Sequence, residues 1–409
     1  MIKKILLSIL GMIALCFSQP TNVNYEIEST IELSKDFKSP IYENKSFDEP
    51  RKLLSFKRKT GRDGLHVNEI KTLVTDEDIK LPSVSPEGNK IYINQNSAKD
   101  CYYSIQKKGD RKEITIYNHF GAQIAHHSYS DSSMIQYPSP FADGRVLVYD
   151  NRRKTWSLMT PEKSLPLQIV KAGNQAILFG DWMGANSSYN SITGDIHVVA
   201  GIWQNDKKAA QIFVVNKYNQ LMWERKYEKG IDARFFPIIH NSISGEYFAV
   251  ALPKESLFRG KIEILDRAGN MVTELNNVRF SPGNVQISSD DKYIITVVDG
   301  KEIIVYDILN GLVVNKITQS LGRNFVDVDY APKTEELFIL HRKLTPNETL
   351  FQLVVVNIHK TRDIFLEGTT LRTYKGNKKL HGNISVSGNG ERVSAQFDNR
   401  IYNLKMKID

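Results

Sequence analysis

Short runs of β-forming residues, broken by small polar turns, recur along this chain about every fifty residues, a spacing characteristic of stacked repeats. In the clearest unit an apolar run, Val285-Gln286-Ile287, meets a polar turn, and a second run, Tyr293-Ile294-Ile295-Thr296-Val297, follows it. A third run, Glu302 to Asp307, ends in a carboxylate; Leu309-Asn310-Gly311 turns the chain, and Leu312-Val313-Val314 starts a fourth. The first turn of each unit falls at Ser85 to Gly88, Ser139 to Gly144, Ser191 to Gly194, Ser242 to Gly245, Ser288 to Asp291, Ala331 to Glu335 and Ser387 to Gly390. No long stretch carries a helical apolar period, so each unit reads as four short antiparallel strands.

The third run closes the same way elsewhere, as Ile116-Tyr117-Asn118, Val214-Val215-Asn216, Ile264-Leu265-Asp266 and Val355-Val356-Asn357. Asp and Asn at that point can cap the backbone of the following turn, and Gly121, Asn219, Gly269 and Gly311 suit its left-handed residue. A lone four-stranded sheet leaves both faces open, so such units must stack. The prediction is an all-β fold, a single β-propeller of seven four-stranded blades, with six or eight left open. The last unit, from about Asn383, is one strand short. Either the stretch Tyr25 to Leu33 or the stretch Val67 to Val74 can supply it, and the second is preferred because it adjoins the first blade.

In this repeat pattern, over about residues 80–409, the chain resembles the WD-repeat, YVTN-type and quinoprotein-like propeller superfamily. The Trp-Asp dipeptide of WD repeats is absent, and Tyr306-Asp307 and its counterparts stand in its place. The resemblance implies the architecture and leaves the activity open.

Three regions are expected. Residues 1–18 read as a signal peptide: Lys3 and Lys4 precede an apolar stretch, Ile5 to Phe17, too short to span a bilayer, and Cys16 and Ser18 suit a cut before Gln19. Acylation at Cys16 is the rival, disfavoured by Leu15. Residues 19–63 form a basic, poorly patterned arm, and residues 64–409 the propeller. No later stretch reaches the roughly 20 apolar residues of a transmembrane helix. Once the signal is removed Cys101 is the only cysteine, so no internal disulfide can form, which points to a bacterial periplasm, cell surface or secreted location. The Asn-x-Ser/Thr triplets at Asn44, Asn186, Asn347 and Asn383 then read as chance matches.

The formal charge of +8 falls well short of a nucleic-acid footprint. Within the arm, Arg51, Lys52, Lys57, Arg58, Lys59 and Arg62 are suited to weak contact with an anionic surface. No metal, nucleotide or nucleophile motif is present, so no cofactor, no metal and no catalytic residue is assigned. His126-His127 is expected to be an exposed loop pair, and His197 and His240 structural. Asp327 and Asp329 share a strand face and are expected at a solvated edge rather than as a catalytic pair.

The binding expectation rests on three elaborated loops, Trp203 to Lys208, Lys254 to Arg259 and His341 to Thr349, joined by the inter-blade stretch Asp181 to Gly184. They carry Trp182, Trp203, Lys207, Lys208, Phe258, Arg259, Arg342 and Lys343, residue types favoured at contact hot spots. A basic, aromatic mouth of this kind suits a protein or an anionic glycan. The function expected is an exported, non-catalytic scaffold of the bacterial envelope. The alternative is a propeller-type lyase, hydrolase or lactonase whose site residues converge on the central channel from separate blades.

Overall fold

Continuous apolar runs such as Tyr293–Val298, buried at all six positions, need cover on both faces of the strand. The computed structural model supplies that cover by setting successive sheets face to face. It describes residues 25–32, 42–43, 53–61, 64–72, 78–80, 93–95, 101–118, 122–130, 135–150, 152–163, 165–171, 175–177, 186–204, 207–227, 238–254, 256–280, 285–318, 323–359, 368–376, 382–397 and 400–407. The fold is an all-β propeller with about seven blades. Seven antiparallel sheets follow one another from Ile93 to Met406 and are called I to VII here. Sheet I spans 93–130, II 135–171, III 175–227, IV 238–279, V 285–318, VI 323–375 and VII 382–406. Another four-stranded sheet precedes them, built from Tyr42–Glu43, Leu53–Gly61, Gly64–Thr72 and Asp78–Lys80.

Among the described residues, an apolar core lies at each seam between consecutive sheets I to VII. Ile114 and Val146 meet between I and II, Trp156 and Phe213 between II and III, Ile212 and Phe248 between III and IV. Ile264 and Ile294 meet between IV and V, Ile303 and Leu337 between V and VI, Phe351 and Phe397 between VI and VII. Alternate residues of one strand feed opposite seams: Val198 and Ala200 face sheet II, while Val199 faces sheet IV. Each fully buried Val, Leu, Ile or Phe contributes about 1.5–3 kcal/mol relative to exposure. No sheet can collect that contribution on both faces without two neighbours.

Six of the seven first turns read from the sequence lead into the first of the two central strands in sheets II to VII; Ser85 to Gly88 lies outside the described residues. They also bridge the seams. His127 of sheet I sets Nε2 2.7 Å from the Gly144 carbonyl of sheet II. Arg145, almost fully buried, donates to the Gly194 and Asn216 carbonyls of sheet III. Asn190 donates to the Ser242 carbonyl of sheet IV at 3.0 Å, and the Ser244 hydroxyl donates to Asp291 of sheet V. Lys333 N–H of sheet VI donates to the Gly388 carbonyl of sheet VII at 3.0 Å. The turns thus form a hydrogen-bonded belt. Its spacing explains Gly245 (φ +80°), where a Cβ would come within 2.6 Å of the Thr193 methyl in the neighbouring turn.

The second turns behave as their sequence predicts. Asn216 Oδ1 accepts from Tyr218 and Gln220 N–H, and Asp307 Oδ1 from Leu309 and Asn310 N–H. Burial alone would raise the Asp266 carboxyl, but hydrogen bonds from Asn270 and the Ala268 and Gly269 N–H groups hold it below the usual range.

The closing strand is not the one preferred from sequence. Tyr25–Glu32 pairs antiparallel with Arg400–Met406 and completes sheet VII. Gly64–Thr72 instead pairs with Leu53–Gly61. What selects Tyr25–Glu32 is its first residue. The Tyr25 ring is buried edge-on against Phe338, and its hydroxyl donates to the Gly390 carbonyl at 2.6 Å, joining the belt. The ion pairs Arg392–Glu28 at 3.6 Å and Lys407–Glu26 at 3.9 Å are exposed and add little.

Tyr25→Ala is therefore expected to cost about 3–5 kcal/mol, as other buried aromatic truncations do, and Tyr25→Phe about 1 kcal/mol for the lost hydrogen bond. Denaturant unfolding measures both, and equal stabilities for all three proteins would refute this anchor.

Candidate functional site

The two central strands of sheets III, IV and VI are longer than those of the others. They run 9 and 9 residues in III, 8 and 11 in IV, 9 and 10 in VI. The corresponding strands have 5 and 5 residues in II and 6 and 6 in V. At about 3.3 Å per residue, three extra residues make a hairpin roughly 10 Å taller. The extra height lies at the end opposite the belt.

These hairpins are where the sequence placed elaborated loops, and that expectation is corrected. Trp203 is the last residue but one of the strand Ile196–Gln204, and Lys207 and Lys208 begin Lys207–Val215, with Trp203 in register with Lys208. Phe258 and Arg259 lie in Ser256–Asp266, where exposed Arg259 is opposite Arg279. Arg342 and Lys343 lie in Glu336–Leu344. The polar character that suggested loops arises because strand ends beyond a seam core need no apolar side chains. Trp182 lies outside the described residues, between Gln175–Ile177 and Asn186–Tyr189, two strands that both pair with Ile196–Gln204.

Sheet VI separates Arg342 from Lys343, because neighbours on a strand face opposite ways. Arg342, Phe351 and Arg372 stand in one cross-strand row and share a face. That face meets sheet VII: Phe351 stacks on Phe397 with centroids 4.4 Å apart, and Phe397 on Tyr402 at 4.7 Å. Arg372 donates Nη1 to the Tyr402 hydroxyl at 3.2 Å and lies over the Tyr374 ring at 4.7 Å. Arg400 stands opposite Phe397 in sheet VII. Three guanidiniums thus border the tall end of the VI–VII seam, and burial lowers the Arg342 pKa below its ordinary value. Of these, sequence reading reached only Arg342. Arg372 and Arg400 belong to strands whose neighbours are set by the ring, so no local run of residues marks them as a set.

Other expectations resolve structurally. Asp327 Oδ2 accepts from Ile384 N–H, and Asp329 Oδ2 from Val386 N–H, both at 2.9 Å. The two carboxylates lock sheet VI to the first strand of sheet VII, and neither stands at a solvated edge. His126 and His127 lie on the strand Gln123–Ser130, not in a loop; His126 is exposed beside Thr115, while His127 is buried at the belt. Arg267 grips Asp195 across the III–IV seam, Nε to Oδ2 at 3.0 Å and Nη2 to Oδ1 at 3.3 Å. Cys101 is buried and free of any disulfide. Among the described residues no group of His, Cys, Asp and Glu is arranged to hold a metal ion, and no helix is long and apolar enough to cross a membrane.

No family model and no curated protein matches the chain. Among solved structures, the Dos1 propeller is 10% identical, covering 94% of this chain and 96% of that one, with a TM-score of 0.49. The β-propeller domain of Cps50 (Swd1) from Myceliophteria thermophila is 12% identical over 94% of this chain and all of that one, with a TM-score of 0.43. BamB from Moraxella catarrhalis is 10% identical over 94% and 100%, with a TM-score of 0.45. At such identities the likeness concerns the fold alone: WD-repeat-like and propeller-like.

His197, fully buried at the III–IV seam beside Phe248, is pushed down to about 3, chiefly by burial and then by the Arg267 charge. The unfolded chain binds this proton below about pH 6.5 and the folded chain only near 3, so acidification across that window destabilises the fold. The slope from this group approaches about 1.4 kcal/mol per pH unit. His197→Gln should flatten the difference between stabilities measured at pH 6.5 and pH 4; an unchanged difference would rule the histidine out.

Proposed function

We propose that this chain is an exported, non-catalytic binding scaffold of the bacterial envelope that engages its partner through the tall hairpins of sheets III, IV and VI. The observation that carries the reading is their selective lengthening: the strands grow in the sheets whose tips bear Trp203, Lys207, Lys208, Phe258, Arg259, Arg342 and Lys343. Trp182, grouped with them in the sequence reading, lies outside the described residues. Side chains carried on paired strands lose less freedom on binding than those on open loops, which favours recognition by a preformed surface. The cationic and aromatic content suits an acidic protein surface or an anionic glycan. An N-terminal signal would deliver the scaffold across the inner membrane, and the basic residues between Arg51 and Arg62 would add a weak, salt-sensitive hold on an anionic surface.

Replacing Trp203 and Arg259 together with alanine should abolish capture of the envelope partner while leaving the melting temperature unchanged. Undiminished capture by a folded double variant would contradict the proposal. Salt should weaken wild-type capture progressively, as expected of a contact with exposed cations.

A further inference from the structure

We propose that the rim of the belt end, along sheets II to V, is an interface between two copies of this chain. The proposal goes beyond the partner surface above, which lies at the opposite end. Ten large hydrophobic side chains stand exposed among the described residues, and eight of them lie on this rim. Three occupy one repeated position, the first residue of a sheet's last strand: Leu221 in sheet III, Met271 in IV and Val313 in V. Tyr218, Leu309 and Leu312 stand in the turns just before those strands, 69%, 64% and 67% exposed. Leu165 lies in the matching turn of sheet II, and Ile192 in the first turn of sheet III. Scattered exposed apolar residues are ordinary on a protein surface, but a concentration of them on adjoining elements marks a contact site.

The turns that carry these residues touch from sheet to sheet. Arg145 of sheet II donates Nη1 to the Asn219 side chain in the turn of sheet III at 3.2 Å. In the turn of sheet IV, a Cβ on Gly269 would come within 2.6 Å of the Trp223 ring of sheet III, and Trp223 Nε1 donates to the Arg267 carbonyl at 3.1 Å. In the turn of sheet V, a Cβ on Gly311 would lie 3.0 Å from a Leu275 methyl of sheet IV. The apolar tips are therefore held side by side on one rigid rim.

Area and charge point to a second copy as the occupant. On ordinary residue areas the eight residues expose roughly 900 Å², about what each partner contributes to a stable protein–protein interface. The polar groups among them are engaged within the rim. Asn216, Asp266 and Asp307 accept N–H groups of their own turns, Arg267 grips Asp195, and Lys292 lies 3.3 Å from Asp290. Lys217 lies over the Tyr218 ring at 5.2 Å. Both signs of charge occur, so the rim offers no single-sign field to attract a polyanion or an anionic bilayer. Apolar tips with interspersed charges of both signs suit an identical patch related by a two-fold axis. Such a dimer keeps both tall ends open and, on the binding reading above, presents two partner surfaces at once.

Sedimentation equilibrium of the purified full chain over a wide concentration range tests the interface. The mass should rise from that of one chain to that of two. Tyr218→Glu and Leu309→Glu should each raise the dissociation constant at least tenfold, with the melting temperature unchanged because both side chains lie in solvent in the single chain. Ile105→Glu alters an exposed apolar residue of sheet I away from the rim and should leave the dimer intact. Met271 gives a readout in the unaltered chain: peroxide should oxidise it more slowly in the dimer than after dilution to single chains. Raised salt should not dissociate the dimer, in contrast to capture through the tall end. A single-chain mass at every concentration, an undiminished dimer in the folded Glu variants, or an equal loss with Ile105→Glu overturns the proposal. Flotation of single chains with phosphatidylcholine vesicles, lost in Leu309→Glu, would make the bilayer the occupant and overturn it too. The Trp203→Ala, Arg259→Ala double variant should dimerise normally, so failure of the dimer and failure of partner capture give different results.

Discussion

The two central strands of sheets II to VI must be covered on both faces, and that constraint sets the rest of the molecule. Sheet V shows it most plainly: Ile294 and Ile304 turn toward sheet IV, while Ile295, Ile303 and Val305 turn toward sheet VI. A sheet with two apolar faces cannot be an independent unit. Its stability belongs to two seams, each shared with a neighbour, so the sheets must stack in sequence order and the stack must be finished at its ends. Tyr25–Glu32, drawn from one end of the chain, finishes sheet VII at the other.

The belt of first turns sets the spacing of the stack. Apolar contact is non-directional and would tolerate sliding of one sheet on the next. The hydrogen bonds from Arg145, Asn190 and Lys333 to carbonyls of the following sheet do not, since each has one correct height. Asp327 and Asp329 repeat this control by accepting backbone N–H groups of sheet VII. With one end of every sheet pinned in this way, variation in strand length can appear only at the other. The lengthened hairpins of sheets III, IV and VI lie there, and so does the arginine-bordered end of the VI–VII seam.

What could be read in the sequence was local in its physics. The Asp and Asn that close third strands were legible because they cap the next few N–H groups, as Asp307 does for Leu309 and Asn310. Turn positions were legible because glycine or asparagine must take the left-handed residue, as Asn219 does at φ 65°. The closing strand was not, because the contact that decides it, Tyr25 to Gly390, joins residues 365 positions apart and leaves no local pattern. The hairpin tips were mistaken for loops because a strand that rises past its seam core loses the apolar alternation by which strands are recognised. The arginine row of sheet VI was hidden for a related reason: Arg342 and Arg372 flank Phe351 only once three strands distant in sequence pair.

Native-state hydrogen exchange tests the two-sided constraint most directly. If seams shared by neighbours hold the fold, amides of Phe213, Ile264, Ile294 and Leu337, which lie in four different sheets, should open with one common free energy and one common denaturant dependence. Separate free energies for each sheet, with sheet III or IV opening while V and VI stay protected, would contradict the account.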